Sequence, residues 1–301
     1  MIKISTQKTV KIELDELENK FSPDIVGIDI GQSLTKIAYS KKKDVILTVY
    51  QTSSDFLYIN EFLEKNKAHY KTINFTGGKA FDSYKKYSSN FKTNLINEFE
   101  ANIAGLEFLY KITKTKPLPP SIVVTLGTGT SVVLKTDVTK HLGGSAMGGG
   151  FFMGLIRLIF HKSRIDYSDA IDLAKTGNRY QVDLKVADIY NIEDKRVDKL
   201  FREFTAASLG KITKNVNVDD VKKENIIVSL IGSIGENIGT IATLMAKLHD
   251  VKNVIFCGGF LIENRPLKQT LSLICKYNGI KPIFLENSVF AGSIGALSFK
   301  L

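Results

Sequence analysis

The chain has 301 residues, 44% hydrophobic and 24% charged, with a formal net charge of +10. That length fits one large domain or two medium ones, and the apolar share is that of a globular protein, which excludes a disordered chain. Two cysteines without paired spacing, Cys257 and Cys275, exclude a disulfide framework and fit a reducing, cytoplasmic setting.

The excess positive charge is scattered. Its densest runs, residues 41–43 and 222–223, are not interleaved with aromatic residues, so they do not form a base-stacking platform and no nucleic-acid partner is expected. The charge favours an anionic small substrate instead. The N-terminus has no uninterrupted apolar core, so it does not read as a signal peptide. No stretch of about twenty apolar residues is seen, and no membrane span is expected.

Residues 1–23 alternate weakly around Val10 and suggest a short strand or extension, closed by Pro23. Residues 24–39, DIVGIDIGQSLTKIAY, read as a buried strand, a tight turn and a return strand. Asp29 closes the first strand, Gly31 makes the turn, and Ser33, Thr35 and Lys36 follow it. A carboxylate, bare backbone amides and an ammonium so close together suit a metal-chelated polyphosphate, although Asp-x-Gly turns also occur in ordinary hairpins. A third strand is expected over 44–51, an amphipathic helix over 54–67, and a short strand over 72–75 that runs into Gly77 and Gly78.

Residues 97–110 place Phe99, Ile103, Leu106 and Tyr110 on one helical face. The run TKTKPLPP that follows holds three of the six prolines and marks a boundary near residue 118. The division expected is therefore an N-terminal lobe, 1–118, and a C-terminal lobe, 119–301. Residues 121–135, SIVVTLGTGTSVVLK, repeat the opening pattern of strand, glycine turn with hydroxyls, and strand, which suggests an internal duplication. A glycine-rich stretch at 141–150 leads into a helix over 151–160. Residues 166–225 look helical and loop-like. A long helix over 226–248, a strand over 254–257 opening onto Gly258 and Gly259, a last strand over 282–285 and a helix beginning at 291 complete the order. Hairpins early in each half and strand–helix units later point to an α/β fold with helices outside mixed sheets.

Gly31, Gly77, Gly127, Gly129 and Gly258 end or follow apolar strands, and Gly148, Gly149 and Gly150 form another turn. Such turns expose N–H groups with no Cβ in the way, and a set of them suggests a nucleotide held between two lobes. Glu98 falls in the first turn of its helix. There an acid complements the helix dipole, but beside a γ-phosphate it could also accept the proton of an attacking hydroxyl.

The chain resembles the type II pantothenate kinases. The likeness is carried by GIDIGQSLTK (27–36), FTGG (75–78), EFEANIAGLEFL (98–109), LGTGTS (126–131), LGGSAMGGG (142–150), CGGFLIEN (257–264) and FAGSIGAL (290–297), in that order. The resemblance implies a two-lobed actin-like ATPase fold, ribonuclease H-like, with duplicated mixed sheets. It implies ATP and Mg2+ as cofactors and pantothenate as the small-molecule substrate. Asp29 would organise the magnesium. Gly31, Ser33 and Lys36 would hold phosphates from one lobe, with Gly127, Thr128 and Gly129 facing them from the other. Gly148, Gly149, Gly150, Gly258, Gly259 and Phe260 would border the nucleotide. Thr128, Ser131, His141 and Gly143 would lie toward pantothenate, and Glu98 would be the base. A cytoplasmic homodimer and acyl-CoA as an inhibitor are further implications.

At one position the chain departs from that family pattern. The family carries an arginine just before the glycine-rich run, and this chain has His141, which is shorter and cannot supply a guanidinium fork. The remaining histidines, His69, His161 and His249, have no metal-ligand spacing. Two rival readings stay open on the residues: another small-molecule kinase of the same superfold, such as an amino-sugar kinase, and a non-catalytic nucleotide-binding regulator.

Overall fold

A computed structural model describes residues 8–14, 21–53 and 56–300. The readings that fall on residues 1–7, 15–20, 54 and 55 lie outside the described residues. Two mixed sheets organise the rest. The first combines β1 (Lys8–Glu13), β2 (Ile25–Ile30), β3 (Leu34–Lys41), β4 (Asp44–Gln51), β5 (Thr72–Thr76) and β6 (Lys92–Leu95) in the order β1-β4-β3-β2-β5-β6. Helices α1 (Leu57–Lys65), α2 (Ala80–Tyr87) and α3 (Glu98–Lys114) belong to the same stretch of chain.

The second sheet follows the proline-rich linker. It contains β7 (Ser121–Leu126), β8 (Thr130–Lys135) and β9 (Thr139–Ser145), then, after α4 (Gly149–Ile159), α5 (Tyr167–Thr176), a small β10 (Leu184–Lys185)–β11 (Thr205–Ala207) ribbon and α6 (Lys223–Leu248), it gains β12 (Asn253–Cys257) and, beyond α7 (Arg265–Tyr277), β13 (Lys281–Phe284). Its order is β13-β12-β7-β8-β9. In both sheets three consecutive strands pair antiparallel, a later strand adds in parallel to the first of them, and a second adds in parallel to that one. The duplication suggested by the two glycine hairpins is thus a duplication of whole sheets, with β1 as an extra edge strand.

Strand alternation explains how these sheets stack, since successive side chains point to opposite faces. In β7, Ile122, Val124 and Leu126 pack with α4 to α7, while Val123 faces the other way. In β2, Val26, Ile28 and Ile30 pack with α1 and α2. Between the two sheets lie α3 and α8 (Ala291–Ser298) in a core shared by both: Leu106 and Leu109 with Ile294 and Leu297, against Ala38 and Leu47 of one sheet and Val123 and Ile255 of the other. Buried on both faces, the inner strands β2, β5, β7 and β12 have no solvent side, which is why they read as continuous apolar runs.

Helix α8 reaches across the expected division of the chain: it follows the second sheet in sequence but packs on α3 and on β2, β3 and β5 of the first sheet. The approach is at backbone distance. A Cβ on Gly295 would stand 1.7 Å from the Ala101 carbonyl oxygen, and one on Gly105 would stand 1.9 Å from that of Ala291. Asn74, fully buried on β5, ties the far end of α8 by donating to the carbonyls of Ala296 and Phe299.

Further elements differ from the expectations. Residues 139–145 are an edge strand rather than a loop. Helices α2 and α7 were not anticipated. Helix α6 is long and apolar enough, by length and composition, to cross a membrane, which the search for an unbroken apolar run does not register. It is nonetheless a core helix, since 72% of its most apolar window is buried inside the fold.

Candidate active site

The carboxyl end of β2, the tips of the β2–β3 and β7–β8 hairpins and the N-terminus of α3 converge on one cleft of about 380 Å³. Of the residues singled out from the sequence, Asp29, Gly31, Ser33, Lys36, Glu98, Gly127, Thr128, Gly129, Ser131, Gly258 and Gly259 line it. The two hairpins meet across the cleft, where the Ser33 and Thr128 hydroxyls are hydrogen-bonded at 2.9 Å.

Asp29 and Lys36 face each other as register partners on β2 and β3. The Lys36 ammonium donates to Asp29 Oδ2 at 2.9 Å. Asp29 is 7% exposed, wedged where α8 and the β5 turn come closest: a Cβ on Gly77 would stand 2.5 Å from Oδ1, and one on Gly292 would stand 2.7 Å from Oδ2. Both positions must therefore be glycine for the carboxylate to keep its place. One buried carboxylate at the mouth of a phosphate-sized cleft fits magnesium, which is bound by one or two carboxylates together with substrate phosphates.

The hairpin amides are arranged differently from the expectation. The N–H of Gly31 donates to the Leu34 carbonyl and that of Gly127 to the Gly129 carbonyl, closing their own turns. The amides of Gln32, Ser33, Thr128 and Gly129, between and beside those glycines, have no backbone partner among the described residues. These four, rather than Gly31 and Gly127, are the donors available to a phosphate.

Gly148, Gly149 and Gly150, expected to border the nucleotide, stand behind the β7–β8 hairpin. They do not line the cleft. The Gly149 N–H donates to the Gly127 carbonyl at 2.8 Å and the Gly150 N–H to the Thr128 carbonyl at 2.9 Å. Because a trans peptide holds its C=O and N–H on opposite sides, pulling those two carbonyls toward α4 turns the Thr128 and Gly129 amides away from it. The glycine run thus orients the phosphate hairpin from behind. A Cβ on Gly148 would stand 2.7 Å from the carbonyl oxygens of Thr128 and Gly129, so a side chain there would push the hairpin off.

Phe260 does not line the cleft either. It is fully buried, packed between Phe152 and Tyr167, and the Tyr167 hydroxyl donates to its carbonyl. His141 and Gly143 sit on the edge strand β9, outside the lining. The His141 ring stacks on Phe99 with centroids 4.3 Å apart and planes 9° from parallel. Phe99 lines the cleft, so His141 supports its wall from the opposite lobe.

Glu98 opens α3, with the Asn97 side chain accepting from the Phe99 and Glu100 amides as the N-cap. Its carboxyl faces the cleft and stays reachable from solvent, yet the surrounding walls displace much of its water. That desolvation holds its pKa above the ordinary glutamate value; the negative charge of Asp29 pushes the same way, and Lys36 opposes. A carboxylate raised in this way, beside a cation and a carboxylate, has the character of a general base.

Gly78, one of the glycines expected to follow a strand, also lines it, and Gln32, Leu34, Phe99, Asn102, Thr125, Thr130, Ser288 and Val289, not among the expected site residues, complete the lining. For Asn102 the signal was available, since it lies one helical turn beyond Glu98.

With this geometry in hand, comparisons with known proteins are direct. The Fumble family matches residues 48–298. A type II pantothenate kinase from Bacillus anthracis is 32% identical over 276 residues, covering 91% of this chain and 96% of that protein. Among solved structures, an activator of 2-hydroxyisocaproyl-CoA dehydratase from Clostridium difficile with bound ADPNP superposes with a TM-score of 0.59 at 16% identity, covering 91% of this chain and 92% of its own. A ROK hexokinase from Thermus thermophilus does so with a TM-score of 0.52 at 12% identity, covering 91% and 96%. At such identities the structural likeness speaks for the fold alone, that of actin-like ATPases and sugar kinases.

Proposed function

This chain belongs to the Fumble family of type II pantothenate kinases, and on that premise we propose that it transfers the terminal phosphoryl group of ATP to the primary hydroxyl of pantothenate, giving 4′-phosphopantothenate, the first step toward coenzyme A. The observation that carries this reading is the meeting of Asp29, Lys36, Glu98 and two sets of open hairpin amides in one cleft.

The roles follow from position. The Gln32, Ser33, Thr128 and Gly129 amides and the Lys36 ammonium cradle the phosphates from both lobes. Asp29 would hold magnesium, which when bound would supply positive charge beside the phosphates. Glu98 accepts the proton of the acceptor hydroxyl as its oxygen attacks the γ-phosphorus and ADP departs. Little covalent work is asked of the protein; its contribution is position and charge.

The deciding assay is ADP release coupled to a spectrophotometric readout, with Mg-ATP and either pantothenate or a panel of amino sugars. Turnover is expected with pantothenate. Turnover with an amino sugar alone, or ATP binding without ADP release for any acceptor, would overturn the reading.

A pH dependence follows from the raised Glu98 pKa. The base must be ionised, so kcat/KM falls as pH drops through that pKa, and the acidic limb lies above the pH at which an ordinary glutamate titrates. Glu98→Gln is expected to abolish the limb in a pH–rate profile.

Three finer features belong to the same proposal. Leu244 and Leu248, exposed one turn apart on α6, support homodimerisation through the C-terminal helices, which sedimentation can test. Use of ATP and two buried free thiols favour the cytoplasm. Acyl-CoA inhibition is expected from the family and is read by titrating acetyl-CoA into the assay.

A further inference from the structure

Asn102 is 8% exposed and lines the cleft, and its carboxamide has no hydrogen-bond partner among the described residues. The other buried amides differ. Asn74 donates to two carbonyls and accepts from Asn94, Asn225 accepts from the Asn178 amide, and Asn264 caps α7. Its polar atoms are not among the fully buried ones that lack a partner, so they open onto the cleft, where a ligand can complete them.

Its position narrows the ligand. Asn102 lies one turn along α3 from Glu98, with Cβ atoms of such pairs about 5–6 Å apart. On its other side, its Oδ1 and the Oδ2 of Asp29 flank Gly292, 3.3 and 2.7 Å from where a Cβ would stand. The carboxamide therefore shares the cleft wall with Glu98 and Asp29 and offers both N–H donors and an acceptor to a group bound there. Pantothenate presents a matching group: its secondary hydroxyl stands in a 1,3-relationship to the primary hydroxyl that reacts.

We propose that Asn102 reads the secondary hydroxyl of the acceptor while Glu98 takes the proton of the primary one. The inference rests on the pantothenate reading and assigns the part of the substrate that the α3 face selects. A site built to hydrogen-bond a hydroxyl rejects the analogue lacking it, because the site's own polar group is then left unpaired.

The test is a cycle of two proteins and two substrates: wild type and Asn102→Ala, each with pantothenate and with its deoxy analogue, in which hydrogen replaces the secondary hydroxyl. Wild type is expected to lose about tenfold in kcat/KM on the analogue, and Asn102→Ala about twofold or less. Equal losses in both proteins would overturn the assignment, as would wild-type turnover of pantothenate by Asn102→Ala. Asn102→Leu, close in volume, takes its place should the alanine variant melt early. Failure of wild type to phosphorylate pantothenate at all would instead overturn the functional reading, and this inference with it.

Discussion

Replacing Glu98 with glutamine is expected to lower kcat at least about a hundredfold, the lower end of what a positioned general base contributes. The substitution preserves shape and leaves the Asn97 cap intact, because that cap binds the Phe99 and Glu100 amides rather than the Glu98 side chain. Stability moves in the other direction from activity. The folded protein holds the Glu98 pKa above its unfolded value, so at neutral pH ionisation of this carboxyl opposes folding, and the neutral amide removes that penalty. The melting temperature should therefore stay level or rise while turnover collapses. ADP release and thermal melting on the same preparation check both halves, and a kcat within tenfold of wild type would remove Glu98 from the role of base.

Gly295→Ala is expected to cost about 3 kcal/mol, the upper part of the usual range for overpacking, and to lower the melting temperature by roughly 5 °C for a chain of this size. The added methyl would stand 1.7 Å from the Ala101 carbonyl oxygen, and that oxygen belongs to helix backbone that cannot move alone. Helices α3 and α8 must separate. Because α3 carries Glu98 and Asn102 and α8 presses on Asp29, the separation displaces all three, and kcat falls with stability. Gly154→Ala provides the contrast: a Cβ there meets nothing within 4 Å, so this helical position should gain about 0.5–1 kcal/mol. Thermal melts of the two variants, read side by side, distinguish crowding at the α3–α8 contact from a general intolerance of glycine replacement.

The parts of this site legible in the sequence are those fixed by local chemistry. The β2–β3 and β7–β8 hairpins announce themselves by apolar runs on either side of Gly31 and of Gly127 with Gly129, and β4 was bounded to the residue. What the sequence left hidden depends on contacts between distant segments. Nothing local distinguishes a glycine whose amide faces a phosphate from Gly149, whose amide is taken by the Gly127 carbonyl. Strand β9 owes its existence to pairing with β8 across a register shift, and its glycines argue locally for a loop. The departure of α8 from its own half is invisible for the same reason, since its small residues become informative only once Ala101 and Gly105 are known to face them. Helix α7 is a different case: Leu267, Leu271 and Ile274 carry the helical period plainly.

The crossing of α8 sets the order in which the molecule can be made. During synthesis, residues 8–118 emerge long before residue 291, so the first sheet must wait, with Gly27 and one face of α3 uncovered, until nearly the whole second lobe has left the ribosome. The two halves consequently mature together rather than one after the other, and neither can be expressed as a stable fragment cut at the proline-rich linker.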